Sequence, residues 1–169
     1  MNNIYLIGFM ATGKTHVGKE LAKKKKWRFL DLDELIELKE KRRIADIFAK
    51  DGEAYFRRRE KQTLKEVAKE KKFVVACGGG IVIDPDNVRI MKQTGLLICL
   101  CAKPEVILKR AAGSTQRPLL NVAGPKKQIE LLLKLRSPYY AQADISIDTS
   151  KLSLKEVAAK IIKLASRKA

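Results

Sequence analysis

The chain has 169 residues, 46% of them hydrophobic, which suits a single domain with one buried core and argues against disorder. No apolar run approaches the roughly 20 residues that a membrane-spanning helix needs, and the N-terminus lacks a positively charged leader. We therefore expect a cytoplasmic protein without a membrane partner. The formal net charge of +17 attracts nucleotides, small acids and nucleic acid alike, so it excludes none of these ligands.

Apolar, β-branched runs alternate along the chain with longer segments of helical period. The predicted strands cover residues 3–7, 28–32, 73–77, 96–101 and 144–147. The predicted helices cover residues 14–25, 53–72, 85–93, 104–112, 126–141 and 153–166. Strands that alternate with helices indicate a mostly parallel sheet covered on both faces. The expected fold is an α/β, three-layer α/β/α sandwich around a five-stranded parallel sheet.

Two regions interrupt this alternation. Residues 33–72 show a helical pattern with no strand, and we expect their first part, about 33–60, to be an insertion that walls a substrate pocket. Residues 112–125 form a long segment with glycine, proline and basic residues. Loops of this length in a compact domain are usually functional lids or disordered, and we predict a lid. Both regions belong to the same predicted domain, residues 1–169.

The first predicted strand runs directly into a phosphate-binding motif. The pattern G-x-x-x-x-G-K-[ST] is matched by Gly8-Phe9-Met10-Ala11-Thr12-Gly13-Lys14-Thr15. Backbone N–H groups of such a loop, together with a helix N-terminus, converge on anionic oxygens. Lys14 supplies a charge to the β- and γ-phosphates, and the Thr15 hydroxyl can bind Mg²⁺. The motif therefore predicts a P-loop that binds a nucleoside triphosphate.

The side chains next to this loop allow more than one interpretation. His16 is the only histidine, and we interpret it as a helix-surface or phosphate-proximal residue rather than a general base. Asp31 and Asp33 sit two apart at the end of the second strand, so we expect both carboxylates to project from one face. One carboxylate near Mg²⁺ and one near an acceptor hydroxyl would suit phosphoryl transfer to an alcohol. Equally, Asp33 could be the N-cap of a helix that begins at Glu34.

Further motifs follow the P-loop in a fixed order. After Ile47-Phe48 come Gly52-Glu53-x-x-Phe56-Arg57-x-x-Glu60, Gly78-Gly79-Gly80, Arg117-Pro118-Leu119-Leu120 and Arg136-Ser137-Pro138-Tyr139-Tyr140. With these motifs the sequence resembles the shikimate kinase family from end to end, at closely matching spacing. Each motif is weak alone, whereas the ordered set is specific. The resemblance implies transfer of the γ-phosphoryl group of ATP to the 3-hydroxyl of shikimate, by a monomer.

On the nucleotide side, the resemblance implies a catalytic role for Lys14 and for Arg117, which would close over the phosphates. Asp31 would hold Mg²⁺ through water alongside Thr15, and Arg110 would lie near the adenine. The nucleotide-binding set implied by the family is Ala11, Thr12, Gly13, Lys14, Thr15, His16, Arg110 and Arg117. The family usually has glycine at the position of Ala11, so this chain needs different loop dihedrals there.

On the acceptor side, the resemblance implies that Asp33 orients or deprotonates the attacking hydroxyl. Arg57 and Arg136 would bind the substrate carboxylate, because planar guanidinium groups match it bidentately. The implied substrate-binding set is Asp33, Phe48, Phe56, Arg57, Glu60, Gly78, Gly79, Gly80 and Arg136. Purely structural interpretations of these residues remain open: the two phenylalanines could be ordinary core residues, and Arg136 could cap a helix C-terminus.

Three other functions compete with that of a shikimate kinase. The nearest rivals are nucleoside monophosphate kinases, gluconate-type kinases and a basic nucleic-acid-binding NTPase. The first usually carry an acid where this chain has Gly78–Gly80, and the last is disfavoured because only 6% of residues are aromatic. We therefore expect ATP and shikimate as partners, and no nucleic acid.

All three cysteines are interpreted as packed, reduced thiols.

Overall fold

The computed structural model describes residues 2–112 and 123–167. The strands are β1 (Asn3–Ile7), β2 (Arg28–Asp31), β3 (Phe73–Ala76), β4 (Gly95–Cys101) and β5 (Ile145–Asp148). The α-helices are α1 (Lys14–Lys25), α2 (Leu32–Glu40), α3 (Ile44–Val67), α4 (Pro85–Thr94), α5 (Pro104–Ala111), α6 (Pro125–Tyr140) and α7 (Leu154–Ser166). A 3-10 turn covers Ile81–Ile83 between β3 and α4.

The five strands form one sheet in the order β2-β3-β1-β4-β5, and every neighbouring pair is parallel. The chain first adds β2 and β3 on one side of β1, then β4 and β5 on the other. Strand order therefore reverses beside β1. In parallel α/β sheets a ligand cleft forms at such a reversal, outside the carboxyl ends of the strands.

Alternate side chains of each strand pack into two separate cores, one on each face of the sheet. On one face Leu6 and Ile98 pack with Val17 of α1 and Ile161 of α7. On the other face Tyr5 and the remaining helices, α2 to α6, form the larger core. Since β1 is buried on both faces, all five of its residues are inaccessible to solvent.

The α/β class, the five strands and their parallel pairing are confirmed, with small shifts in strand ends. One prediction about the second strand was wrong: β2 ends at Asp31, so Asp33 lies in the first turn of α2 rather than on the strand. Asp31 is the N-cap of α2, because its carboxylate accepts hydrogen bonds from the N–H groups of Asp33 and Glu34. The alternative with Asp33 as the cap is therefore also wrong.

The insertion after β2 is helical, as predicted, but its second helix starts earlier than residue 53. Helix α3 begins at Ile44 and is interrupted at Gly52, whose φ of 83° and ψ of 172° are not helical. A side chain at this positive φ would be strained, so glycine suits the kink. Beyond the kink, the helical segment from Glu53 carries Phe56 and Arg57 in one turn and Glu60 about one turn further on.

Two further expectations concern the cysteines and membrane-spanning helices. Cys77 and Cys99 are buried, but Cys101 at the end of β4 is exposed, so the interpretation of all three as packed thiols was wrong for Cys101. Burial raises the pKa of the Cys99 thiol to about 12. Across residues 2–112 and 123–167, no helix is long and apolar enough to cross a membrane.

Candidate active site

A cleft of about 850 Å³ opens at the carboxyl ends of the strands, beside the reversal of strand order. Its walls come from the loop after β1, the end of β2 with the start of α2, the segment after β3, and helices α6 and α7. The side chains of this cleft that carry chemistry are Lys14, Thr15, Asp31, Asp33, Arg110 and Arg136. Segments far apart in the sequence therefore supply one site.

The P-loop has the backbone that its glycines require. Gly8 (φ 136°) passes so close to the Leu100 carbonyl that a Cβ would collide with it, and Gly13 has a φ of 99°. Ala11 adopts a φ of 58°, so it takes the left-handed conformation without being glycine. Lys14 Nζ donates to the carbonyl oxygens of Gly8 and Phe9 at 2.8 and 2.9 Å. Its ammonium group thus lies across the loop, where an anion would bind.

Two oxygen side chains meet at the start of α1. The Thr15 hydroxyl donates to Asp31 Oδ2 at 3.0 Å, and both residues line the cleft. A hydroxyl and a carboxylate are hard oxygen donors, the kind Mg²⁺ binds together with water and phosphate oxygens. No group of three or more His, Cys, Asp or Glu side chains in the described part of the chain could hold a metal alone. The pair fits a Mg²⁺ ion that takes its other ligands from nucleotide and water.

The carboxylate of Asp33, which lines the cleft, and that of Glu60, which is fully buried, approach the same side of Gly78. A methyl group on Gly78 would lie 3.0 Å from Asp33 Oδ1 and 3.2 Å from Glu60 Oε1. Both of these oxygens are buried without a hydrogen-bond partner in the described residues. Burial, reinforced by the charge of Asp31, raises the pKa of Asp33 to about 6, and burial raises that of Glu60 to about 7. Unpartnered buried acceptors of this kind suit a ligand with hydroxyl groups.

The three glycines after β3 leave space for the functional side chains. A methyl group on Gly79 would lie 3.2 Å from Arg136 Nη1, and one on Gly80 would lie 2.9 Å from Arg57 Cζ. The backbone there is ordinary, since Gly80 has a φ of −97°. What demands glycine at these positions is therefore the close approach of two guanidinium groups.

Arg57 and Arg136 are held by different contacts. Arg57 donates to Glu60 at 2.7 Å and to Glu53 at 3.4 Å, and its guanidinium lies 5.1 Å from the centre of the Phe56 ring. Arg136 forms no ion pair with a carboxylate of the described residues, and it stacks 5.7 Å from the ring of Phe9. It lies inside α6, so the alternative that it caps a helix end was wrong.

The predicted aromatic wall is only partly formed. Phe48 and Phe56 contact each other with ring centres 4.9 Å apart. Phe56 is 4% exposed and belongs to the larger core, as the purely structural interpretation had it, whereas Phe48 is 38% exposed. The predicted catalytic Arg117, with most of the predicted lid (112–125), lies outside the described residues.

The opposite end of the cleft, near α7, is where a nucleotide base could bind. Arg110 donates to the Thr149 carbonyl at 2.8 Å and to its hydroxyl at 3.0 Å, which fixes the guanidinium beside the P-loop. His16 is exposed and lines the same end. Leu152, Leu154 and Val157 also line it. Sequence reasoning missed Leu154 and Val157 because their spacing matches an ordinary amphipathic helix start.

Comparison with known proteins agrees with this geometry. The family model for shikimate kinase matches residues 10–166. The chain belongs to the shikimate kinase family. Among curated family members, shikimate kinase from Thermoanaerobacter pseudethanolicus is 46% identical over 96% of this chain and 95% of its own length. The enzyme from Thermodesulfovibrio yellowstonii is 47% identical over 96% and 94%. Family membership makes the chain an ATP-dependent kinase.

Solved shikimate kinases share the fold over nearly the whole chain. The enzyme from Acinetobacter baumannii, whose structure is a complex with shikimate, matches with a TM-score of 0.93 at 38% identity, over 99% of this chain and 94% of that one. The enzyme from Aquifex aeolicus matches with a TM-score of 0.83 at 31% identity, over 98% and 97%. Such coverage leaves no large part of this chain without a counterpart in the family.

Proposed function

We propose that this chain transfers the γ-phosphoryl group of ATP to the 3-hydroxyl of shikimate, giving shikimate 3-phosphate and ADP. One observation carries the proposal: four functional side chains approach the glycine run after β3. Asp33 and Glu60 lie close to Gly78, Arg136 lies close to Gly79, and Arg57 lies close to Gly80. Asp33, Gly78, Gly79 and Arg136 line the cleft that also holds the P-loop lysine, and Arg57 and Glu60 lie next to the glycine run. An acceptor with one carboxylate and several hydroxyl groups matches both the two guanidinium groups and the two carboxylates.

The two arginines are proposed to bind the carboxylate of the acceptor. A planar guanidinium donates two parallel N–H groups to a carboxylate, so a pair of arginines fixes both the position and the plane of the ligand. Arg57 is already oriented by Glu60 and Glu53, which reduces the entropy lost on binding. The ring hydroxyls then point toward the unpartnered oxygens of Asp33 and Glu60.

Asp33 is proposed to accept the proton of the attacking hydroxyl. As the new O–P bond forms, the bond between the γ-phosphorus and the bridging oxygen of ATP breaks, and ADP leaves with the electron pair. The hydroxyl proton passes to the Asp33 carboxylate. With a pKa of about 6, this group is mostly ionised at neutral pH, yet basic enough to take the proton.

The positive groups of the loop are proposed to hold the phosphates. Lys14 would exchange its two carbonyl partners for β- and γ-phosphate oxygens, and loop N–H groups would bind the rest of the chain of phosphates. Thr15, and Asp31 through water, would hold Mg²⁺, which would neutralise phosphate charge. Arg117, on a lid formed by residues 112–125, is proposed to add positive charge during transfer. We also propose that the enzyme acts as a monomer in the cytoplasm.

A coupled assay of ADP release, with ³¹P NMR of the product, tests this function. ATP and Mg²⁺ are supplied with shikimate, gluconate or AMP as alternative acceptors. We expect turnover with shikimate alone, and a product resonance assigned to the 3-phosphate ester. Lys14→Met is the background control. Equal turnover with gluconate or AMP would contradict the proposal, as would ATP hydrolysis that is stimulated by nucleic acid instead of by shikimate.

A further inference from the structure

Lys61 joins the helix that carries the acceptor-binding side chains to the segment that follows the glycine run. It comes directly after Glu60 on α3, and its ammonium group bonds Asp84 Oδ2 at 3.0 Å and Asp86 Oδ2 at 2.7 Å. Asp84 is the N-cap of α4, and Asp86 lies in the first turn of the same helix. One lysine thus bridges α3 to the N-terminus of α4.

The N-terminus of α4 is in turn tied to the glycine run. Asn87, which is 2% exposed, donates to the Ile81 carbonyl at 3.1 Å. Ile81 follows Gly80 without a break, and the N–H of Ile83 returns to the Gly80 carbonyl at 3.1 Å. The position of α4 therefore sets the position of the backbone against which Arg57 packs.

We propose that Lys61 is a positioning residue for the acceptor site: its two ion pairs hold the Arg57–Glu60 segment of α3 against Gly78–Gly80. Ion pairs at a partly solvated surface, such as those of Lys61, contribute little to global stability, so Lys61 is not explained as a support of the fold. Its geometry, however, fixes the spacing between two segments that approach closely: a methyl group on Gly78 would lie 3.2 Å from Glu60 Oε1, and one on Gly80 would lie 2.9 Å from Arg57 Cζ. A small shift between them would change the direction of the Arg57 guanidinium. This inference rests on the proposed function of the cleft.

Steady-state kinetics of Lys61→Met test the inference, because methionine keeps much of the aliphatic stem and removes the charge. We expect the KM for shikimate to rise about fivefold, equivalent to about 1 kcal/mol. The kcat and the KM for ATP should stay within about twofold, since a residue that acts only on acceptor binding leaves the transfer step alone. Lys61→Arg, which can still bind both carboxylates, should restore the wild-type KM.

Two controls make the result specific. Lys65→Met removes a charge one turn further along α3 and should leave both KM values unchanged. The pair Asp84→Asn with Asp86→Asn keeps the N-cap, because asparagine caps well, and removes the partners of Lys61. This double variant should raise the shikimate KM as Lys61→Met does, and combining all three changes should add nothing further.

Several outcomes would overturn the inference. An unchanged shikimate KM in Lys61→Met would do so, as would a parallel rise of both KM values with a lowered Tm, or additive effects in the combined variant. A failure of Lys61→Arg to restore the KM also counts against it. If the wild-type chain did not phosphorylate shikimate, both the proposed function and this inference would be wrong. If the wild type turns over normally and only the variants fail to behave as expected, the inference alone is wrong.

Discussion

At the scale of single residues, Asp33 combines a functional position with an unfavourable environment. Its Oδ1 is buried without a hydrogen-bond partner among the described residues, and Glu60 Oε1, in the same state, approaches the same side of Gly78. We expect Asp33→Asn to lower kcat by about 100-fold or more, because an amide cannot accept the hydroxyl proton. ADP affinity, measured by calorimetry, should stay nearly unchanged. Unchanged turnover would remove Asp33 from its assigned role.

The same substitution should stabilise the fold. An acid whose folded-state pKa is raised binds its proton more tightly when folded, so the wild type loses stability as pH rises from about 4 to 6. Above pH 6 this cost is fully present. We expect Asp33→Asn to raise Tm by about 2–4 °C at pH 8 and to have little effect at pH 4, measured by calorimetry. A lower Tm at pH 8 would contradict this electrostatic account.

Arg136 offers a cleaner test of acceptor binding than Arg57, because no carboxylate of the described residues pairs with it. Removing Arg136 therefore leaves no buried acid without its partner. We expect Arg136→Ala to raise the KM for shikimate about 10- to 100-fold, the loss typical of hydrogen bonds to a charged group. The KM for ATP should change much less. Equal increases for both substrates would indicate a misfolded cleft instead.

At the scale of elements, the glycine run after β3 contributes to binding specificity because its backbone has no side chains that would displace the binding groups. A methyl group on Gly80 would meet the guanidinium of Arg57, which is the mobile end of a long side chain. We expect Gly80→Ala to leave Tm nearly unchanged while raising the KM for shikimate by about tenfold, because only Arg57 must move. The combination with Arg57→Ala should be no worse than Arg57→Ala alone. A strongly lowered Tm would mean that the glycine serves the fold.

Much of this element-level picture could be predicted from the sequence, and the exceptions have physical reasons. Alternating apolar periods and the P-loop predicted the sheet. Of the predicted acceptor side chains, Asp33 and Arg136 line the cleft, whereas Arg57 and Glu60 lie next to the glycine run. The end of β2 could not be placed, because Leu32 is apolar and buried in either a strand or a helix. The bridge from Lys61 to Asp84 spans 23 residues and depends on how α3 packs on α4, which no local pattern encodes.

At the scale of the whole molecule, positive charge is concentrated in one of the two helical layers. Helices α1 and α7, which cover one face of the sheet together, carry eight lysines and two glutamates between them. Lys160 and Lys163 are exposed on α7, beyond the turns that line the cleft. Both proposed substrates are anions, so the lysines of this layer that lie away from the cleft add an attractive field without touching them.

That field predicts how the enzyme responds to salt. We expect added KCl to raise the KM of ATP and of shikimate and to leave kcat unchanged, because salt screens the attraction between the protein and the free anions. The rise should stay below the roughly tenfold effect that is typical of strongly steered encounters. Lys160→Gln with Lys163→Gln should raise both KM values about twofold at low ionic strength. At high salt, where the Debye length falls below about 5 Å, the variant and the wild type should coincide. A difference that persisted at high salt would mean that these lysines act through local structure, since a screened field cannot extend from the outer turns of α7 to the cleft.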